Sequence, residues 1–294
     1  MDLVAHCKTL PRPGQTLTAD SFSEIPGGKG ANQAVAASRA GARVSMIGRL
    51  GQDAFAARLR QGLQEDQINV DAIQESVGPS GVALINVAED GENQIVVVPG
   101  ANGCLTRQDV EQFSQLIAEA DVLLLQLEIP MDCVLHAIGI AKNCKTRVIL
   151  DTAPVPDHWS EELFDVDLIC PNETEAADLA GVPVTNIEEA REAAKIFRDR
   201  GVKTALITLG EMGCYFMNES GEGHVPAFDM SGKVVETTGA GDGFNGGFAA
   251  ALAEGKTPDQ AIRYGSATAA ISVTRLGTAP AMPQRSEIEQ LVNS

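Results

Sequence analysis

The stretch VLLLQLEIPMDCVLHAIGIAKNCKTRVIL, Val122–Leu150, decides the fold class. It opens on Val122–Leu127, which reads as a buried strand and begins with the purely apolar run Val122–Leu125. It passes into Met131–Ala141, whose apolar residues recur at helical spacing, and returns to a second apolar run at Arg147–Leu150. A continuous apolar run is the mark of a strand buried on both faces, and a helix between two such runs is the crossover of a parallel pair. The unit repeats downstream. Leu168–Cys170 predicts a short strand, Glu173–Leu179 and Ile187–Arg200 predict helices, and Thr204–Leu209 predicts another strand. The second of those helices carries Glu188 and Glu189 first, Arg198 and Arg200 last, and Gly201 just beyond. That order complements the helix dipole and supplies a stop.

The alternation predicts an α/β fold of three layers, a mostly parallel sheet flanked by helices in a Rossmann-like arrangement. The first hundred residues differ. Thr16–Phe22 and Gly81–Ala88 alternate in character, and Asn93–Val98 follows the turn-like Glu89–Glu92. Between them Gly30–Ala40 predicts a small-residue helix and Val44–Leu50 a core strand. Phe55, Leu59 and Leu63 line one face of another helix. A small antiparallel β sheet, inserted from about residues 3–22 and 81–98, is the expected addition to the main layer. So few strands bury too little to stand alone. With no Pro/Ser-rich linker and no repeat, residues 1–294 read as a single domain.

The composition fits a soluble globule: 294 residues, 44% apolar and 21% charged. The apolar runs are too short to span a bilayer, and Met1–His6 lacks the pattern of a signal peptide. A cytoplasmic protein with no membrane partner is expected. Its formal charge of −18 repels phosphate backbones, which argues against nucleic acid as a partner. The same charge repels a nucleotide unless one site supplies local positive potential. Six scattered cysteines form no C-x-x-C pair, so reduced thiols are expected.

That local potential has a source in Glu236–Phe248, ETTGAGDGFNGGF. Gly239 and Gly241 can aim successive N–H groups at one point, and helical spacing begins there. A helix start with free N–H groups binds anions without Lys or Arg. Asp242 sits inside this turn. A carboxylate at a helix start is commonly a cap. It is equally suited to take a proton from a hydroxyl that attacks a phosphate. Gly243, Gly246 and Gly247 burden the helix by roughly 1 kcal/mol each. That burden points to close approach by a ligand or another backbone. The stretch is neither a Walker A loop nor a dinucleotide-binding fingerprint. A second glycine-rich stretch, Pro26–Ala34, offers Lys29 and Asn32 beside three glycines, a pattern suited to a hydroxylated small molecule.

Three motifs in order, GGKGANQAVA (Gly27–Ala36), PNETEA (Pro171–Ala176) and TTGAGDGFNG (Thr237–Gly246), resemble those of the ribokinase family of carbohydrate kinases. The likeness runs over essentially the whole chain. It implies ATP-dependent phosphorylation of D-ribose at the 5-hydroxyl, with deoxyribose, fructose or a non-catalytic sugar-binding role as alternatives. By this resemblance Asp242 is the catalytic base, and the N–H groups of Gly239, Ala240 and Gly241 form the anion hole. Asp2, Gly28, Lys29, Asn32 and Glu128 match sugar-binding positions. Asn172, Thr208, Gly210, Gly213, Gly241 and Ser266 match the nucleotide side. Glu175 is associated with Mg²⁺ through water, although Asn172 and Glu175 also spell a capping box.

The resemblance further implies a monovalent cation, K⁺, held by Glu236, Thr238, Ser272, Arg275, Gly277 and Ala281. The common residue at 236 is Asp, and Glu236 is one methylene longer. Gly243 stands where Thr or Ser is more usual. It implies a homodimer in which the small sheet is a lid that pairs with its twin. The family's first core strand and a sugar-binding Asn would lie before Met1, which predicts weak stability or low activity for the chain that starts there.

Overall fold

In the computed structural model, which describes residues 1–294, the chain runs through twelve strands and ten helices. The first half holds β1 (Asp2–Cys7), β2 (Ser21–Ile25), α1 (Lys29–Arg39), β3 (Gly48–Leu50), α2 (Ala54–Glu65), β4 (Ile73–Glu75), β5 (Val82–Ala88), β6 (Asn93–Val98), α3 (Arg107–Gln112) and α4 (Ser114–Glu119). The second half holds β7 (Val122–Leu125), α5 (Met131–Cys144), β8 (Arg147–Leu150), β9 (Leu168–Ile169), α6 (Glu173–Ala180), α7 (Ile187–Asp199), β10 (Thr204–Thr208), β11 (Cys214–Asn218), β12 (Gly221–Val225), α8 (Ala240–Ala253), α9 (Pro258–Ser272) and α10 (Arg285–Val292).

Six strands form the main sheet in the order β12-β11-β10-β9-β8-β7. β7 through β10 are parallel, and β11 and β12 add an antiparallel edge. The period-2 geometry of a strand sorts its residues into two cores. Val148, Leu150, Ile169, Ala205 and Ile207 pack on one side with α3 to α7. Ile149, Leu168 and Leu206 pack on the other with α1, α8, α9 and α10. Helices therefore cover both faces, as the apolar runs require.

The four-stranded second sheet has the order β2-β1-β5-β6. Its outer pairs are antiparallel, while β1 and β5 run parallel with Asp2 opposite Ala83. A long connection between β1 and β5 permits this, where a hairpin would not. The strand expected over Thr16–Phe22 lies instead at Ser21–Ile25, and Thr16–Asp20 is irregular. Those five residues are mostly exposed, so pairing with β1, not burial, sets the strand's position. The core strand expected at Val44–Leu50 shrinks to Gly48–Leu50, in a separate two-stranded sheet with β4.

Candidate active site

The site gathers where the parallel strands end, as open α/β sheets dictate. α8 starts at Gly239, whose φ of +79° favours glycine. The N–H groups of Gly239, Gly241 and Asp242 donate to no main-chain carbonyl, while that of Ala240 turns toward Thr237 O at 3.2 Å. Two of the three expected anion-hole donors thus point free and the third is partly engaged. They face a cavity of about 230 Å³ whose walls include Lys29, Asp151, Asn172, Glu175 and Thr208.

Asp242 lines the same cavity and is 6% exposed. Its side chain is engaged by α1 and not as a cap on α8. Oδ2 accepts from Asn32 Nδ2 at 2.9 Å, and Oδ1 accepts from Gln33 Nε2 at 2.9 Å. Burial raises its pKa, and the Lys29 ammonium with the two amides works against that rise. The carboxylate is thereby poised as an acceptor facing the anion turn. The α8 glycines answer to neighbouring helices, Gly246 to the α1 backbone and Gly247 to a side chain of α9. A Cβ on Gly246 would lie 2.5 Å from Ala36 Cβ and 2.6 Å from Gln33 O of α1. One on Gly247 would lie 2.2 Å from Thr268 Oγ1 of α9. A Cβ on Gly243 would be tight, 3.3 Å from both Met282 Sδ and Ser272 Oγ.

On the side of α1, Gly28 is the N-cap with φ +99°, and the N–H of Lys29 donates to Glu128 Oε2 at 3.0 Å. Burial alone would depress the Lys29 ammonium, but Asp151, Asp242, Glu175 and Glu128 surround it and hold its pKa above the ordinary value. Asn32 Oδ1 is buried with no partner, an acceptor waiting for a donor. Asp2, at the start of β1, and Glu128 both have pKa values raised by burial. Gly27 leaves the space that the Asp2 carboxylate fills: a Cβ there would lie 2.0 Å from Asp2 Oδ2.

Asn172 and Glu175 form a full capping box on α6. Glu175 Oε2 also accepts from Thr152 Oγ1 at 3.2 Å, and both residues still wall the cavity. Gly210 (φ +53°) and Gly213 (φ +96°) flank a single turn after β10 and lie outside the cavity walls. Gly213 is required by space as well, since a Cβ would fall 2.1 Å from Val225 O. Ser266 is buried on α9, also outside those walls.

Glu236 is turned inward, its Oε2 accepting from Gly277 N at 2.8 Å. With Glu236 N on Val273 O at 3.2 Å, this draws the 236–238 and 272–277 segments together. The carbonyls of Glu236, Thr238, Arg275 and Gly277 accept none of the loop main-chain bonds. Ser272 Oγ donates to Ala269 O at 2.8 Å, Arg275 pairs with Glu287, and Ala281 is buried in a short turn.

Sequence reasoning missed Gln33, Asp151, Cys170, Thr237 and Asn245, the last four of which wall the cavity. Burial pushes the Asp151 carboxyl up to about 7, against the pull of Lys29 and helped by Asp242 and Glu175. Asp151 follows directly on the strand Arg147–Leu150, a strand-end position that was the available signal for it. Gln33 had a weaker signal, a polar residue in a run of small apolar ones.

The chain matches the model of the pfkB family carbohydrate kinases over residues 1–285. It is 42% identical over 287 residues to the ribokinase of Haemophilus influenzae, covering 97% of this chain and 93% of that protein. A deoxyribokinase of Salmonella typhi is 34% identical, with 100% and 96% covered. The structure of Arabidopsis thaliana ribokinase complexed with ribose and ATP superposes with a TM-score of 0.93 at 31% identity, covering 100% of this chain and 96% of that one. Thermotoga maritima ribokinase gives 0.90 at 35%, with 100% and 96% covered. An anion turn with a buried carboxylate, set at the strand ends of this sheet, thus accompanies a match along nearly the full length, and the chain belongs to the pfkB family of carbohydrate kinases.

Proposed function

We propose that the protein transfers the γ-phosphoryl group of ATP to the 5-hydroxyl of D-ribose, giving ribose 5-phosphate and ADP. The observation that carries this is the placing of the Asp242 carboxylate in the wall of the cavity that the N–H groups of Gly239 and Gly241 also line. The likeness to ribokinases across the chain supports the choice of ribose. The sugar lies against Asp2, Gly28, Lys29, Asn32 and Glu128, whose carboxylates and amide match vicinal hydroxyls. The unpartnered Asn32 Oδ1 accepts from one of them. Asp242 takes the 5-hydroxyl proton as that oxygen attacks phosphorus, and ADP leaves in line. The turn Gly239–Gly241 and the Lys29 ammonium meet the charge that grows on the phosphoryl oxygens. ATP extends past Asn172 and Thr208 toward Gly210, Gly213 and Ser266.

Two ions fit the donors present. Glu175 and Asn172 offer hard oxygen ligands at the cavity wall, which suits Mg²⁺ that keeps its own waters. An ion held there would supply positive charge against the phosphates. The unengaged carbonyls of Glu236, Thr238, Arg275 and Gly277 suit a weakly hydrated K⁺ beside the anion turn, with Ser272 and Ala281 closing the loop around it. The Glu236 carboxylate holds the two loops in place.

The four-stranded sheet is read as a lid and as a homodimer contact. Phe22, Ile95, Val96 and Val97 are more than half exposed on it, an apolar surface that a second copy would cover. The six unpaired cysteines accord with a reducing compartment such as the cytoplasm. ADP formation over a panel of ribose, 2-deoxyribose, fructose and nucleosides, with and without K⁺, tests the reading. Ribose is expected to give the highest kcat/KM and K⁺ to raise it. A preference for another sugar overturns the choice of ribose, and no turnover with any sugar overturns the enzyme. Light scattering at micromolar concentration is expected to give a dimer mass.

A further inference from the structure

Gln33 is fully buried on α1, and its carboxamide is the point where four elements meet. Nε2 donates to Asp242 Oδ1 on α8 at 2.9 Å and to Asp151 Oδ2, just past β8, at 2.5 Å. Oε1 accepts from Gln126 Nε2, just past β7, at 2.5 Å. A carboxamide has two N–H bonds, so both are used and the oxygen is engaged as well. A flipped amide would set its oxygen against two carboxylates and its NH₂ against that of Gln126. All three partners therefore select one orientation. The remaining oxygen of Asp242 is held by Asn32 at 2.9 Å, so the carboxylate is gripped at both ends.

Two carboxylates around one buried amide are not what stability alone would choose. We propose that Gln33 is a positioning residue for phosphoryl transfer: braced between Asp151 and Gln126, it fixes the plane of the Asp242 carboxylate so that its unused lone pairs face the cavity. This rests on Asp242 as the base. The charged groups that face Asp242 are Lys29 from α1, Asp151 after β8, Asp2 on β1 and Glu128 after β7. Lys29 and the amides of Asn32 and Gln33 favour its ionised form. Loss of the Gln33 donor removes one support of the ionised carboxylate and one fix on its orientation.

Ribose-dependent ADP formation is measured across pH for Gln33→Met, Gln126→Met and Asp242→Asn, each with a thermal melt. Gln33→Met is expected to lower kcat by ~10- to 100-fold, with the ribose KM within about 3-fold. Its acid limb of kcat moves to higher pH. Gln126→Met, which frees the amide of Gln33 to turn, shifts both in the same direction by less. An unmoved acid limb with wild-type kcat in Gln33→Met overturns the proposal, as does a raised KM with unchanged kcat. Should Gln33→Met not fold, an unmoved limb in Gln126→Met overturns it instead. Asp242→Asn separates the two readings. Turnover near that of wild type there removes the base itself, whereas an inactive Asp242→Asn beside a wild-type Gln33→Met removes Gln33 alone.

Discussion

The main-chain N–H of Lys29 donates to Glu128 Oε2 at 3.0 Å, across 99 positions of sequence. One carboxylate thus anchors the first turn of α1 and, in the proposed reaction, holds a sugar hydroxyl. The two roles separate by substitution, because an amide oxygen can replace the first but brings no charge to the second.

Glu128→Gln keeps an acceptor for Lys29 N–H. The ribose KM is expected to rise about 10-fold, equivalent to ~1.4 kcal/mol. The melting temperature should hold. Glu128→Ala is expected to lose both, with a fall in stability of about 1 kcal/mol or more for the unanchored helix start. Equal melting curves for the Gln and Ala variants would sink the anchoring role.

Asp242→Asn is expected to reduce kcat by ~10²–10⁴-fold, the usual contribution of a general base. The fold should survive. The new NH₂ would meet the amide of Asn32, but that amide can turn its unpartnered Oδ1 to accept it. A melt within a few degrees of wild type is the check on folding. Turnover within a few-fold of wild type leaves the anion turn and positioning as the source of rate.

Gly27→Ala probes Asp2 without touching it. The added methyl would stand 2.0 Å from Asp2 Oδ2 and 2.4 Å from its Cγ, so the carboxylate must swing away while the backbone stays. The ribose KM is expected to rise by about 10-fold or more at nearly constant kcat. Crystals or NMR of the variant should show β1 in its original register. An unchanged KM would remove Asp2 from the sugar site.

Asp151 links stability to pH. Burial, named first among its causes, lifts its pKa from 3.8 to about 7. A carboxyl whose pKa is higher in the fold than in the unfolded chain contributes stability only while protonated. That contribution is complete below about pH 4 and is lost as pH rises through about 7. Asp151→Asn removes the dependence at the cost of setting its NH₂ against Gln33 Nε2 or Ala153 N–H, so its stability relative to the parent is expected to rise between pH 4 and pH 8. Urea melts at pH 4, 6 and 8 should show that rise, and a gap independent of pH would falsify the assignment.

Much of the α/β layer was legible because its strands are apolar on both faces. β8 matches its expected bounds, and β7, β9 and β10 fall within one or two residues of theirs. The anion turn was legible because glycine is the residue that most readily takes a left-handed φ, as Gly239 does at +79°. β2 was misplaced because its residues are mostly exposed and alternation there carries no burial signal. The grip on Asp242 was out of reach for another reason. Gln33, Gln126 and Asp151 are 93 and 118 positions apart in sequence, and only the crossover geometry brings their amides and carboxylate together.

The seam between α1 and α8 has a bearing on how such a sequence can vary. α8 passes so close to α1 at Gly246 that one added carbon there would meet Ala36 Cβ at 2.5 Å and Gln33 O at 2.6 Å. The two segments, near opposite ends of the chain, therefore behave as one heritable unit. A library that randomises either helix alone will return mostly the parental residues at this seam. Removing the Ala36 methyl does not open position 246, since a Cβ there would still lie 2.6 Å from Gln33 O and 2.9 Å from Ala37 N, so new sequences at this seam require the two helix backbones to part and Asp242 to move away from Asn32.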